Sequence, residues 1–257
     1  MKELIYKILD TLLLGKGIKV QMSGFSLRLP TRYYKYFGSD YELNNINFLN
    51  NYLLQGMTVI DVGAHIGALS IIMAEKVGPT GKVISFEPTP STFVLLQKTI
   101  AINKKKDIIT PIQKAIADKE GKAEFYITEL DANNSNSLSN NKRKEHKEYT
   151  IAIDLVSIDD VKKELNLRTI DLIKVDAEGA EFAVLKGAVN VMKINKPKVI
   201  LALHPASINN FGNTLSEIWD FITNMDYTVY LKNDIINKQS FINNSGLFDV
   251  FLLPNKE

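Results

Sequence analysis

The stretch Met57-Thr58-Val59-Ile60-Asp61-Val62-Gly63-Ala64-His65-Ile66-Gly67 passes from a short apolar run into an acid, and then into a turn bracketed by two glycines. The apolar run has the length of a buried strand, and Leu69, Ile72, Met73 and Val77 follow at helical spacing. Strand, glycine turn and helix in that order make a ligand-binding turn of an open α/β sheet. Gly63 allows a sharp turn with positive φ, and Gly67 allows close backbone approach. Amides at the helix start are then expected to face the ligand. A strict dinucleotide fingerprint needs a middle glycine, which this loop lacks. Asp61 repels phosphates and suits a cationic group instead.

After this turn the pattern repeats. Lys82–Phe86 reads as the next strand, ending in Glu87. Thr89-Pro90 opens a helix, with Thr89 as cap, Pro90 in the first turn and Phe93, Leu96 and Ile100 inside. Ile108–Lys114, Ile170–Val175 and Val199–Leu203 are further strands, with Lys122–Ile127 and Tyr149–Leu155 as candidates. Phe182, Leu185 and Val189 mark one more helix, and residues 214–225 another. Tyr227–Leu231 and Phe248–Leu253 close the series. Short apolar strands alternating with helices predict a Rossmann-like α/β fold, with a mostly parallel sheet covered on both faces.

Residues 1–55 read differently. Residues 2–14 are a helix, 18–29 a hairpin turning at Ser23-Gly24, and 40–54 a helix, together an N-terminal cap on a ligand-binding domain at 56–257. Lys7 and Asp10 interrupt the apolar stretch at the start, so no signal peptide is expected. No run approaches the length of a membrane span. The chain has 257 residues and no cysteine, which excludes disulfides, thiolate metal sites and a Cys nucleophile and fits a cytoplasmic location. A net charge of +2 gives no support to nucleic acid as a main partner. Residues 131–148 are Asn- and Ser-rich, then basic. They read as a solvated loop, or as a lid beside the site.

Two further constellations carry chemistry. Glu87, in Phe86-Glu87-Pro88, ends the strand after Asp61, where an acid accepts hydrogen bonds from both hydroxyls of a ribose. A solvated strand end is its bland alternative. The segment Asp171-Leu-Ile-Lys174-Val-Asp176-Ala-Glu178-Gly-Ala-Glu181 sets ionisable groups at the end of a buried strand. In an extended chain Lys174, Asp176 and Glu178 share one side. Dipole-favouring acids at a helix start account for Glu178 and Glu181 equally well.

Taken together, Asp61–Gly67, Phe86-Glu87-Pro88, Ser157-Ile-Asp-Asp160, Ile173–Glu181 and Val184-Leu-Lys-Gly-Ala188 strongly resemble the FkbM-like methyltransferases over roughly residues 57–205. The resemblance implies a class I methyltransferase fold with a seven-stranded sheet whose last strand is antiparallel. It implies S-adenosyl-L-methionine as cofactor and methyl transfer, commonly to a hydroxyl of a sugar or secondary metabolite. It places the methionine end of the cofactor against Asp61, Gly63, Ala64, His65 and Gly67, the ribose at Glu87 and Pro88, the adenine near Lys114 and Ala115, and Asp176 near the transferring methyl. It departs at Ala202, where the family pattern carries an acid.

Asp176, Glu178 and His204 are the candidate proton acceptors. No resident metal is expected, although an Asp, Glu and His set is also a possible divalent-cation ligand set. The acceptor is expected to be a small molecule or glycan. An RNA- or protein-modifying methyltransferase, supported by the basic run at 142–147, and a catalytically silent binding module are the alternatives. The absence of a Tyr-x-x-x-Lys motif speaks against an NAD-linked oxidoreductase.

Overall fold

A computed structural model of the chain describes residues 2–128 and 148–255. The N-terminal part contains helix α1 (Lys2–Leu12), strands β1 (Ile18–Met22) and β2 (Phe25–Leu29), a 3-10 turn and α2 (Leu43–Tyr52). Ser23 and Gly24 both take positive φ, the geometry that suits a two-residue hairpin. The sheet then begins with β3 (Thr58–Val62), α3 (Ala68–Val77), β4 (Lys82–Phe86), α4 (Pro90–Ile102) and β5 (Ile109–Ile112). After β6 (Ala115–Ile116), β7 (Gly121–Thr128), β8 (Glu148–Val156) and α5 (Ile158–Glu164) come β9 (Leu172–Val175), α6 (Glu181–Lys186), α7 (Val189–Ile194) and β10 (Lys198–Leu203). The remainder is α8 (Pro205–Asn210), α9 (Leu215–Asn224), β11 (Tyr227–Leu231), β12 (Asp234–Ile235), α10 (Lys238–Ile242) and β13 (Phe248–Pro254).

The main sheet runs β12-β11-β13-β10-β9-β3-β4-β5. Its centre is parallel, and β13 lies antiparallel between β10 and β11. Successive residues of each central strand enter opposite cores, as the pleat requires. Ile60, Ile84, Ile173 and Leu201 pack with α5, α6, α7 and α9. Val59, Val83, Leu172 and Ile200 pack with α2, α3, α4 and the β1–β2 hairpin. Met22, Leu29, Ile46 and Leu49 are therefore part of the second core, so the N-terminal segment covers one face of the sheet.

Two details differ from the sequence expectation. Among the described residues the sheet has the seven strands plus β12, an exposed two-residue strand that pairs with β11. The strands at 121–128 and 148–156 are real, but they form a separate three-stranded sheet with β6. Pro111 sits in β5 at the edge of the main sheet. Lacking an N–H, it suits an edge and resists addition of a further strand. The loop expected at 131–148 falls almost wholly outside the described residues. Among those residues no helix is long and apolar enough to cross a membrane.

Candidate active site

The chain leaves β3 towards β4 on one side, while β9 occupies the other side. A crevice opens between strand ends at such a reversal. Asp61 and Lys174 are register partners across it. Asp61 is fully buried, and its Oδ2 accepts from Ser70 Oγ at 2.5 Å, with Ser85 Oγ donating on to Ser70 Oγ at 3.0 Å. Its Oδ1 has no hydrogen-bond partner and lies 3.8 Å from Lys174 Nζ. Burial lifts the Asp61 carboxyl above the usual range, against the pull of Lys174.

Lys174 is 4% exposed. Its ammonium donates to Gly63 O at 3.1 Å and stands 3.5 Å from Asp176 Oδ2. Burial opposes its charge, but Asp176, Asp61 and Glu42 outweigh that and raise its pKa. It therefore stays cationic between the two strand ends.

The turn itself is folded inward. Gly63 has φ +73°, and a Cβ there would stand 1.9 Å from the backbone oxygen of Asp176. The amides of Gly63 and Ala64 both donate to Phe86 O, and that of His65 to Glu87 Oε2 at 3.0 Å. These three amides are used by the end of β4. The helix start, to which the expectation of ligand-facing amides applied, comes later, and Ala68 and Leu69 there line the pocket. Gly67 packs inward. It lies off the pocket wall at the start of α3, where a Cβ would meet Leu96 Cδ1 at 2.5 Å, so its smallness serves helix packing. Thr89 does stand before α4, yet its side chain makes no capping hydrogen bond.

Glu87 is buried, not solvated. Its second oxygen accepts from the Thr89 amide at 2.9 Å. Burial raises its carboxyl to about 7 despite those bonds. Glu87, Pro88, Lys114 and Ala115 line one pocket with Asp61, Gly63, Ala64, His65, Asp176 and Glu178. About 970 Å³ of atom-free space lies along this wall, open solvent at its mouth included.

Beyond Lys174 the site becomes more open. β9 ends at Val175, so strand alternation does not place Glu178. A left-handed turn does, with Glu178 at φ +50° and Gly179 at φ +112°. A Cβ on Gly179 would strike Ser207 and Phe211, so glycine lets this turn press against α8. Glu178 thereby meets His204, which precedes α8. His204 Nε2 is 3.7 Å from both Asp176 Oδ1 and Glu178 Oε2. His204 stands behind these two acids and is not itself on the pocket wall. Its Nδ1 lies 2.8 Å from Glu181 Oε1. Burial works against a charge on the ring, but Glu181, Glu178 and Asp176 prevail and raise its pKa to about 9.

Glu181 is not a solvated dipole acid. It is fully buried, and Oε1 also accepts from the Gly179 amide at 2.9 Å. The signal was present in the sequence, because Glu181 shares the inner helix face of Val184, Leu185 and Ala188. Three other residues escaped sequence reasoning. Phe37, Tyr41 and Glu42 reach the pocket from the N-terminal segment. Asp249 sits directly across from Ala202 in the β10–β13 register, and Asn45 Nδ2 donates to both Asp249 and Glu42. An acid is thus present beside Ala202, supplied by the neighbouring strand. Burial raises the carboxyls of Glu42 and Asp249.

The sheet order, with β13 inserted antiparallel, and the crevice at the β3–β9 switch define a class I S-adenosyl-L-methionine-dependent methyltransferase fold. The family described as the Methyltransferase FkbM domain matches residues 61–229, and the chain belongs to that family, whose cofactor is S-adenosyl-L-methionine. Methyltransferase sdnD of Sordaria araneosa is 30% identical over 154 residues, covering 50% of this chain and 59% of that protein. Hexuronic acid methyltransferase AglP of Haloferax volcanii is 27% identical over 133 residues, covering 52% and 50%. The chain thus spans about half the length of these curated relatives. Among solved structures, the methyltransferase FkbM of Methylobacillus flagellatus superposes with a TM-score of 0.50 at 15% identity, covering 80% of this chain and 50% of that one. A putative rRNA methylase of Clostridium thermocellum gives 0.50 at 12% identity, covering 83% and 94%. These two likenesses concern the fold alone.

Proposed function

We propose that the protein methylates a hydroxyl oxygen of a sugar, glycan or secondary metabolite. The observation that carries this reading is the cluster Asp176, Glu178 and His204 beside the cofactor crevice. A hydroxyl acceptor must lose a proton, and this cluster sets carboxylates where one can be taken up. The acid-rich wall suits a neutral polyol and opposes a polyanion such as RNA. The basic run at 142–147, the support for the RNA reading, lies outside the described residues. The hexuronic acid relative agrees with a carbohydrate acceptor.

The residues of the crevice fit S-adenosyl-L-methionine. Asp61 Oδ1 faces Lys174 at 3.8 Å without a hydrogen bond, so a cationic ligand in the crevice would share this carboxylate with the lysine. Gly63, Ala64 and His65 would flank the methionine end. Glu87 has one backbone donor on each oxygen and a further bond from the Thr89 side chain, so a lone pair remains for a ribose hydroxyl. Pro88, Lys114 and Ala115 would border the adenine. When bound, this cofactor supplies an electrophilic methyl group. The protein aligns the acceptor and excludes water. Phe37, Tyr41 and Glu42 would shape the acceptor's entry.

Calorimetric titration with S-adenosyl-L-methionine and S-adenosylhomocysteine tests the cofactor assignment. Micromolar binding is expected, weakened about tenfold or more by Glu87→Ala, because a charge-assisted hydrogen bond contributes roughly 1.5–3 kcal/mol. Heat with NAD and with neither adenosyl compound sinks the assignment. Incubation with methyl-labelled cofactor and a panel of glycosides and hexuronates then tests the acceptor. Base-stable label marks a methyl ether, as proposed, whereas base-labile ester label or labelled RNA overturns it.

A further inference from the structure

We propose that Asp176, Glu178 and His204 form a binding site for a divalent first-row cation such as Mn²⁺, set at the rim of the cofactor crevice. This goes beyond the methyl-transfer reading, and the binding of the cation does not depend on it. One oxygen of each acid and His204 Nε2 lie mutually within 4.8 Å, with both acids 3.7 Å from the nitrogen. Ligands sharing one ion at about 2.1 Å stand roughly 3.0–3.4 Å apart, so each acid closes on the nitrogen by about half an ångström, and the two acids close on one another by at most about 1.4 Å. One imidazole with two carboxylates favours a first-row transition ion over Ca²⁺.

A second, independent observation lies behind the cluster. Metal-bound imidazoles hand their other N–H to a carboxylate, which fixes the ring and its tautomer. Glu181 supplies that carboxylate to His204 Nδ1 at 2.8 Å. It comes from the fully buried inner face of α6, and its Oε2 has no hydrogen-bond partner. This arrangement turns Nε2 outward, toward Asp176 and Glu178. The Gly179 turn, seated on α8, brings Glu178 there from a different segment.

Charge points the same way. Asp176, Glu178 and Glu181 surround one imidazole. Lys174 reaches Asp176 from the other side but also serves Asp61 and the Gly63 carbonyl. A cation on Nε2 takes the place of the ring proton that these carboxylates otherwise hold there, and its binding releases that proton. Three protein ligands leave open positions, and these suit two neighbouring oxygens of an acceptor. That use of the site rests on the proposed acceptor class.

The test is a Mn²⁺ titration of the full chain after chelator treatment, followed by electron paramagnetic resonance of the free ion. One saturable Mn²⁺ per chain is expected. Glu178→Gln keeps size and removes charge at a partly exposed position, and His204→Gln removes the ring. Each is expected to weaken binding by about a hundredfold, and Glu181→Gln, a positioning change, by ~10–100-fold. Thermal unfolding checks that each variant folds. Absence of saturable Mn²⁺ binding, or binding unmoved in the well-folded Glu178→Gln variant, overturns the proposal. S-adenosylhomocysteine binding in chelator separates the two readings. Binding of that compound without a Mn²⁺ site sinks only the cation site. A Mn²⁺ site without adenosyl binding sinks only the methyl-transfer reading.

Discussion

Asp61 and Asp176 end neighbouring strands on either side of one lysine, yet they differ in almost every respect. Asp61 is fully buried and backed by two serine hydroxyls. Asp176 has a side chain 32% exposed, held by Lys174 at 3.5 Å and faced by His204 at 3.7 Å. The first half of the site is completed by folding. The second half has its groups assembled but left to be completed by whatever binds. On the proposed function, the wall that takes the cofactor is the rigid half and the wall that takes the acceptor the adaptable one.

The largest expected effect comes from pressing the two halves apart. Gly63→Ala puts a methyl against the Asp176 carbonyl at a left-handed position. It should cost more than ~4 kcal/mol in denaturant unfolding, the range reserved for severe core or backbone conflicts. An unchanged unfolding midpoint would mean that the halves are not in contact. Lys174→Met comes next, since it leaves buried Asp61 without its cation. A loss of about 3–5 kcal/mol is expected, recovered in part by adding Asp61→Asn. A loss below ~1 kcal/mol would show that Asp61 is already neutral, and would dissolve the contrast drawn above.

The smallest effect sharpens the rigid half. The Glu87 carboxyl is raised to about 7. Its ionised form, the better acceptor for ribose hydroxyls, is therefore lost as pH falls through 7. Affinity for S-adenosylhomocysteine should drop about tenfold between pH 8 and pH 6, and stay flat in Glu87→Gln. Stability runs the other way. A carboxyl raised from 4.5 to about 7 on folding stabilises the fold fully below 4.5, and this contribution disappears as pH rises through 7. Parallel pH trends in affinity and stability would contradict this account of Glu87.

Much of the frame was legible because it is written locally. Strand ends at Asp61 and Glu87, the positive-φ glycine at 63 and the Ser23-Gly24 hairpin all follow from spacing or from one residue's conformational freedom. What escaped depends on which elements become neighbours. Asp249 replaces an acid missing at Ala202 only because β13 inserts beside β10. Glu42 reaches the pocket because the N-terminal segment packs on the sheet face. Glu181 and His204 meet across a helix start and a strand end, a contact that no periodicity encodes. The acceptors of the loop amides escaped for the same reason, since Phe86 O and the Glu87 carboxylate belong to the end of the adjacent strand.

The antiparallel insertion of β13 also sets an order of events during synthesis. It lies between β10 and β11, so until residues 248–254 have left the ribosome both of those strands present open edges. The parallel half, β3 to β5 with β9, can pair beforehand. A chain cut before residue 248 would thus carry the crevice beside two unprotected edges, and would lack Asp249. Such a chain is expected to associate through those edges, and pairing of β13 closes both.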